Sequence, residues 1–121
     1  MLPFEYDRSQ DRDIIVRDRF DGFRREFLRT LVTPEVIEEH QRSPVGQHSE
    51  RLERLLIYFR QRPLDERYAV KVVESFRKYQ VVRLSGHRGT PPRVVDEAIY
   101  ASANDACHGL FLRCIRDLLE T

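Results

Sequence analysis

A chain of 121 residues, of which 40% are hydrophobic and 34% charged, has the length and composition of one folded domain. Its formal net charge of +1 excludes the strongly basic surface of a dedicated nucleic-acid-binding protein. No apolar run approaches the ~20 residues of a membrane-spanning helix, and the charged N-terminus does not fit a signal peptide. We therefore expect partners other than nucleic acid or membrane.

The basic residues are almost all arginine, which accounts for 19 of the 21. Arginine forms bidentate and stacking contacts and is enriched at protein interfaces, where lysine is depleted. The surplus is typical of an interface, although a codon bias of the source is the simpler explanation.

The two cysteines lie on one predicted helix. Cys107 and Cys114 are seven residues apart, which places their Cα atoms about 10 Å apart at the helical rise per residue. A disulfide spans at most ~7 Å between Cα atoms. We therefore expect reduced core cysteines and a reducing compartment.

The first third of the chain is predicted to be an arm followed by an interface helix. Residues 1–10 have no apolar period, which is typical of an arm that becomes ordered only against another surface. Over residues 11–31 an apolar stripe recurs at spacings of three and four, which predicts an amphipathic helix. Gly22 in its middle suggests a close approach by a neighbouring element. The narrow, aromatic stripe favours packing on one helix or on a partner: Val16, Phe20, Phe23, Phe27 and Leu31.

Two shorter helices follow, each with a start and a stop signal. Thr33 before Pro34 predicts the second helix, because Thr caps a helix N-terminus and Pro fits its first turn. Ser43-Pro44 ends it. Ser49 caps the third helix, which Arg62-Pro63 ends. The apolar face of this third helix consists of Leu52, Leu55, Leu56 and Phe59.

The period then changes to that of strands. Residues 68–74 and 79–84 are rich in β-branched and aromatic residues and flank the short loop 75–78, which predicts an antiparallel hairpin. Residues 86–92 contain two Gly and two Pro and predict a compact loop, and residues 94–101 lead through a third strand to a helix that begins near Ser102. The apolar face of this last helix comprises Ala103, Ala106, Cys107, Leu110, Phe111, Cys114, Ile115 and Leu118.

The predicted fold class is therefore α+β. N-terminal helices precede a small antiparallel sheet, a hairpin plus a third strand, and a C-terminal helix covers that sheet. A single domain spans residues 1–121, with residues 34–121 forming the α+β body.

Several residues could carry chemistry, and each has a simpler structural explanation. His40 and His48 do not have the spacing of a metal site, so a structural role of His48 at the Gly46 turn is preferred. Cys107 and His108 are helix neighbours that point about 100° apart, which disfavours a thiolate–imidazole pair. His108 should instead face other His or carboxylate groups, or solvent. We expect no catalytic, cofactor-binding or metal-ligating residue on this chain.

Two further segments could bind a ligand. The Gly86 to Gly89 loop could hold an anion, but it lacks the spacing of a P-loop and opens no helix. Aromatic residues interleaved with arginines between Arg54 and Arg83 resemble a nucleic-acid surface. The balanced net charge favours the edges of a core instead.

Several short motifs resemble the small subunit of N,N-dimethylformamidase over residues 38–119. They are Pro44-Val45-Gly46-Gln47-His48-Ser49, Tyr58-Phe59-Arg60 with Pro63, Arg67-Tyr68, Gly86 to Gly89 with Pro92, Tyr100-Ala101-Ser102, Asp105-Ala106, His108, Phe111-Leu112-Arg113, Ile115 and Asp117-Leu118. The N-terminal third is similar only in its charged helical character.

The resemblance implies a bacterial, cytoplasmic amidohydrolase that converts dimethylformamide and water to dimethylamine and formate. The chemistry would take place in a larger catalytic subunit that holds a non-haem iron, and this chain would be an accessory subunit without catalytic residues. Its partner interface would then use the stripe of the first helix, with Val16, Phe20, Phe23, Phe27 and Leu31, together with Arg60, Arg67 and Arg88.

Two alternatives remain open from the sequence. The first is a free-standing binding module that forms homo-oligomers through its N-terminal helix and binds a ligand at residues 86–92. The second is a small metal- or thiol-dependent enzyme that uses His40, His48 or Cys107.

Overall fold

The computed structural model describes residue 20 and residues 22–120. The predicted N-terminal arm, residues 1–10, and Val16 lie outside the described residues. In the described part, no helix has the length and apolar character needed to cross a membrane.

In the described residues, four α-helices and a three-stranded sheet form the α+β fold predicted from the sequence. Helix α1 covers residue 20 and residues 22–31, α2 is Pro34–Arg42, α3 is Glu50–Arg60 and α4 is Ala103–Glu120. A 3₁₀ turn at Leu64–Glu66 leads into the strands. The strands are β1 (Tyr68–Glu74), β2 (Lys78–Arg83) and β3 (Arg93–Val94).

Each helix start predicted from a hydroxyl residue is confirmed. The Thr33 side chain accepts a hydrogen bond from the Val36 N–H at 3.3 Å. Ser49 likewise accepts from the N–H of Leu52 at 3.4 Å. These side chains satisfy first-turn N–H groups that have no partner inside a helix. At the start of α4, Ser102 accepts in the same way from the Asp105 N–H at 3.1 Å.

The sheet is antiparallel, with the strand order β1-β2-β3. Its third strand is shorter than predicted. Within the described residues, only Arg93 and Val94 of this segment form consecutive pairs with residues of β2. An isolated bridge joins Tyr79 to Tyr100, with mutual backbone hydrogen bonds of 3.0 and 2.9 Å. The chain from β3 to α4 therefore returns to the edge of β2 before the last helix begins.

One core joins the helices, and α4 also packs on β1 and β2. The predicted apolar faces of α3 and α4 supply most of its buried residues, although Ala103 is exposed and Leu56 and Phe59 are only half-buried. Tyr58, one of the aromatic residues that the sequence assigned to the edge of a core, is buried. The core residues are Leu28, Val36, Leu52, Leu55, Tyr58, Phe111, Ile115 and Leu118.

Two glycines differ in what surrounds them. A Cβ added to Gly22 would meet nothing within 4 Å in the described part of the chain, so none of the described residues makes the close approach expected there. A Cβ added to Gly109 on α4 would lie 2.9 Å from the ring carbon Cε1 of Tyr100, which is closer than van der Waals contact allows. The sequence therefore needs Gly at position 109 for the Tyr100 ring to lie against α4.

The hairpin turn contains a phenylalanine in the left-handed conformation. Phe76 has a φ of 66°, a conformation that costs an L-residue roughly 1–2 kcal/mol. Its N–H donates to the Tyr79 hydroxyl at 3.2 Å. A register irregularity lies between Val72 and Glu74 in the preceding strand.

Candidate functional site

A cleft of about 640 Å³ lies between α1, α3, the start of β1 and α4. Its lining combines apolar residues from the facing sides of α3 and α4 with arginines from several elements. Two of the arginines that the sequence assigned to a partner interface, Arg60 and Arg67, both line this cleft. The other arginines of the lining are Arg25, Arg62 and Arg83, and its apolar residues include Leu56, Phe59, Leu110 and Phe111.

Several surface arginines form ion pairs, but Arg60 and Arg67 form none with the residues that the structure describes. By contrast, Arg54 pairs with Glu50 at 2.7 Å on the exposed side of α3. An arginine side chain carries five N–H donors and retains its charge. Three carboxylate residues also line the cleft. Arg60 and Arg67 nevertheless present unpaired cationic donors beside apolar surface, which suits a carboxylate-bearing partner segment.

A partly buried polar contact lies in one wall of the cleft. The Tyr68 hydroxyl on β1 donates a hydrogen bond to Asp117 on α4. Burial and this hydrogen bond to Asp117 raise the pKa of Tyr68, although a hydrogen bond from Arg113 opposes them. The Arg113 Nε atom is buried and has no hydrogen-bond partner among the described residues. This contact fixes β1 against α4 and holds the wall in place.

The two cysteines line the same cleft and are both free thiols. Burial raises the pKa of the Cys114 thiol to about 12 and also raises the pKa of Cys107, while the nearby Arg60 charge lowers the latter. A thiol becomes nucleophilic only as the thiolate. Both side chains are therefore held in the unreactive form near neutral pH.

The histidines of α2 and α4 form a stacked cluster in the interior. His40 is 1% exposed, and its Nδ1 atom lies 2.8 Å from Nδ1 of His108. Its ring also stacks on Phe111, with ring centroids 4.0 Å apart. As the sequence suggested, His108 faces another His, and His48 holds the Gly46 turn through Nε2, which donates to the Ser43 carbonyl oxygen at 2.7 Å.

These contacts give the histidines structural roles. Within residues 20 and 22–120, no three His, Cys, Asp or Glu side chains converge as metal ligands. His48 Nδ1 faces the Glu53 carboxylate at 3.2 Å.

The loop at residues 86–92 is closed by its own hydrogen bonds. The Ser85 hydroxyl lies 3.0 Å from the His87 carbonyl oxygen and 2.9 Å from that of Thr90. It also accepts from the His87 N–H at 3.1 Å. Gly86, with a φ of +72°, lies against Asp65, where a Cβ would be only 2.9 Å from the Asp65 Cβ. Arg88 is exposed on this loop and does not line the cleft.

The aromatic stripe of α1 lies on the surface. Phe20 is 66% exposed, Phe23 is 71% exposed and Phe27 is 48% exposed. Leu31, at the end of the stripe, is half-buried and packs against the core. The residue that anchors α1 in the core is Leu28, which the stripe analysis missed. Its position one residue after Phe27 and three before Leu31 offered only a weak signal.

The arginine contacts of α1 and α3 were also absent from the sequence interpretation. Arg24 donates to the Gln61 side chain at 2.9 Å and lies 5.2 Å from the centre of the Tyr58 ring. Arg54 lies 5.7 Å from the centre of the Phe27 ring. Arginine stacking of this kind depends on which helices meet, and sequence spacing alone does not show it.

Comparison with known proteins gives the family. The family model described as N,N-dimethylformamidase alpha subunit matches residues 15–121. A curated relative named N,N-dimethylformamidase alpha subunit, from Paracoccus aminophilus, is 30% identical over 113 residues, which cover 89% of this chain and 79% of the relative. The match includes α1 to α4 and every strand of the sheet. This chain belongs to the N,N-dimethylformamidase alpha-subunit family.

Proposed function

We propose that this chain is the non-catalytic small subunit of an N,N-dimethylformamidase-like amidohydrolase, which converts dimethylformamide and water to dimethylamine and formate. In this proposal a larger subunit holds a non-haem iron and performs the hydrolysis. The chain described here stabilises that subunit. A bacterial cytoplasm suits the two free cysteines.

The observation that carries the proposal is the exposed aromatic stripe of α1. Phe20 and Phe23 are each at least 66% exposed, although burying a Phe side chain contributes about 1.5–3 kcal/mol. A contiguous row of exposed aromatic residues on one helix is typical of a protein–protein interface. In a family of subunits, the larger subunit is the partner that we expect on this stripe.

The histidine and cysteine side chains that could act in catalysis are used in packing, which also supports an accessory role. His40 and His108 contact each other, and burial keeps the Cys107 and Cys114 thiols protonated by raising the pKa of each. A general base or nucleophile needs an accessible group with a pKa suited to its task. These four side chains are instead used in packing.

The experiment is co-expression of the chain with the larger subunit of the same source, followed by native mass spectrometry and an assay of dimethylformamide hydrolysis. The double variant Phe20→Asp/Phe27→Asp should lose the complex and its activity, because two carboxylates would be buried at the interface. The isolated variant should remain folded, since neither residue belongs to the core.

A matched control places two carboxylates on other exposed apolar positions. Val45 is 71% exposed and Leu64 is 52% exposed, and both lie outside α1. Val45→Asp/Leu64→Asp should retain the complex. If Phe20→Asp/Phe27→Asp retained both complex and activity, α1 would not be the interface. If the wild-type chain formed only a homo-oligomer and did not bind the larger subunit, the result would favour a free-standing binding module.

A further inference from the structure

The tip of the β1–β2 hairpin presents a phenylalanine to solvent. Phe76 is 90% exposed, more than any other large hydrophobic residue in the described part of the chain. Its φ of 66° lies in the left-handed region. Glycine or asparagine adopts that conformation more readily than an aromatic residue.

Neither the backbone nor the solvent environment favours Phe at this position. The turn would be less strained with Gly, and an exposed apolar ring gains nothing from burial in the isolated chain. A requirement for this side chain must therefore come from a surface outside the described residues. Functional sites are where such local conflicts concentrate.

The turn holds the backbone of Phe76 in a defined position. The Phe76 N–H donates to the Tyr79 hydroxyl at 3.2 Å, and Tyr79 is 8% exposed and pairs with Tyr100. The backbone below the ring is thus tied to the buried part of the sheet. A backbone that is already fixed loses little freedom on binding, and an aromatic side chain carried on it is effective as an interface anchor.

The residues next to the tip indicate the chemistry of the surface that would receive it. Val72 and Val73 are 54% and 47% exposed and extend the apolar surface along β1. Arg77 and Lys78 both lie near the single carboxylate of Glu74, at 3.4 and 3.9 Å. The tip therefore combines an apolar ring with a net positive charge.

We propose that Phe76 inserts into an apolar pocket, bordered by acidic groups, on the larger subunit. This inference rests on the proposed function. Charge disfavours the alternative of two hairpin tips from copies of this chain, because their net positive charges would meet at a two-fold interface. The larger subunit therefore has a second contact, separate in sequence from α1, and Phe76 is its anchor.

The test separates binding from folding. Phe76→Gly removes the ring and relieves the positive φ, so the isolated variant should resist urea as well as or better than the wild type. Its affinity for the co-purified larger subunit should fall at least tenfold. Phe76→Tyr retains the ring and the same backbone conformation, and its affinity should stay within about threefold of the wild type.

Each outcome decides the matter. A Phe76→Gly chain that binds the larger subunit within twofold of the wild type overturns the anchor while leaving the proposed function intact. Weaker binding accompanied by lower urea resistance also overturns it, since the effect would then come from misfolding. A change confined to self-association of the isolated chain overturns it in favour of a second copy. Failure of the wild-type chain to bind contradicts the proposed function itself.

Discussion

The Nδ1 atoms of His40 and His108 lie 2.8 Å apart and join α2 to α4 through one hydrogen bond. One ring must donate its Nδ1–H while the other accepts, so the pair cannot carry a proton on all four ring nitrogens and keep this bond. His40 is buried against Phe111. The packing of the two helices therefore excludes protonation of both rings, and the burial of His40 disfavours its charged form.

This relationship predicts that acid destabilises the fold. Burial, with smaller effects from the His108 and His48 charges, lowers the pKa of His40 to about 4, while the Glu39 charge opposes this shift. Burial also lowers the pKa of His108, against the opposing charge of Asp105. A histidine in the unfolded chain titrates near its ordinary value of about 6.5. Between these pH values the unfolded chain binds more protons than the folded chain.

The free energy of unfolding should therefore be highest above pH 7 and fall as the pH is lowered towards 4. Each pH unit between the two pKa values costs up to about 1.4 kcal/mol for His40 alone. Urea unfolding at a series of pH values measures the slope. His40→Gln should flatten it, because the titrating group is gone. An unchanged slope in that variant would assign the acid sensitivity to other groups.

Much of the fold follows from local sequence signals, whereas this His pair does not. The hydroxyl caps at Thr33 and Ser49 and the strand Tyr68–Glu74 occur where the sequence placed them, because capping and β-branched runs act over a few residues. His40 and His108 are 68 residues apart in sequence. No local period indicates that α2 and α4 bring them together.

The candidate cleft was predictable only in part, for a similar reason. Arg60 and Arg67 were assigned to an interface from the resemblance, and the fold brings them to one cleft. The stripe of α1 was visible as a period, but Leu28 as its anchor in the core was not. Which side of a helix faces the core is decided by the elements packed on it, and these were not known from the sequence.

Two glycine substitutions should have opposite effects on stability. Gly109→Ala places a methyl group against the Tyr100 ring and should lower the free energy of unfolding by about 1–3 kcal/mol. Gly22→Ala meets open space in the described part of the chain and should raise it by up to about 1 kcal/mol through helix propensity. Thermal unfolding of both variants provides the comparison. Equal effects would mean that helix propensity, and not contact with Tyr100, determines the result.

The hydrogen bond between Tyr68 and Asp117 should contribute measurably to stability. Tyr68→Phe removes the hydroxyl and leaves the half-buried Asp117 carboxylate without this donor. A hydrogen bond to a charged group is worth about 1.5–3 kcal/mol, so a loss of this order in urea unfolding is expected. Tyr100→Phe, which removes another hydroxyl from a half-buried tyrosine, serves as a comparison. A loss below about 0.5 kcal/mol in Tyr68→Phe would mean that water replaces the bond.

The thiols should react slowly in the folded chain. Because burial raises the pKa of Cys114 to about 12, its thiolate fraction at pH 8 is only about 10⁻⁴. Iodoacetamide should modify both thiols in urea but leave Cys114 unmodified in native buffer, as intact-mass spectrometry would show. In a Cys107→Ser variant the native chain should gain no adduct on the same timescale. Rapid modification there would show that the cleft opens around Cys114.

The arginines of the cleft should strengthen the complex in a salt-dependent way. Arg60→Glu/Arg67→Glu reverses two charges that have no carboxylate partner in the described part of the chain. We expect at least tenfold weaker binding of the larger subunit at low salt and a smaller loss at high salt, because salt screens charges at an interface rim.

The control Arg51→Glu/Arg93→Glu makes the same change in net charge at exposed positions outside the cleft lining. It should alter binding by no more than about threefold, since distant exposed charges are screened within about 10 Å. Titrations with the larger subunit at two salt concentrations measure the binding affinity of both double variants. If the two lost affinity equally, net charge alone would attract the partner, and the cleft would not be part of the interface. A loss confined to the Arg60/Arg67 double places acidic groups of the larger subunit at the cleft.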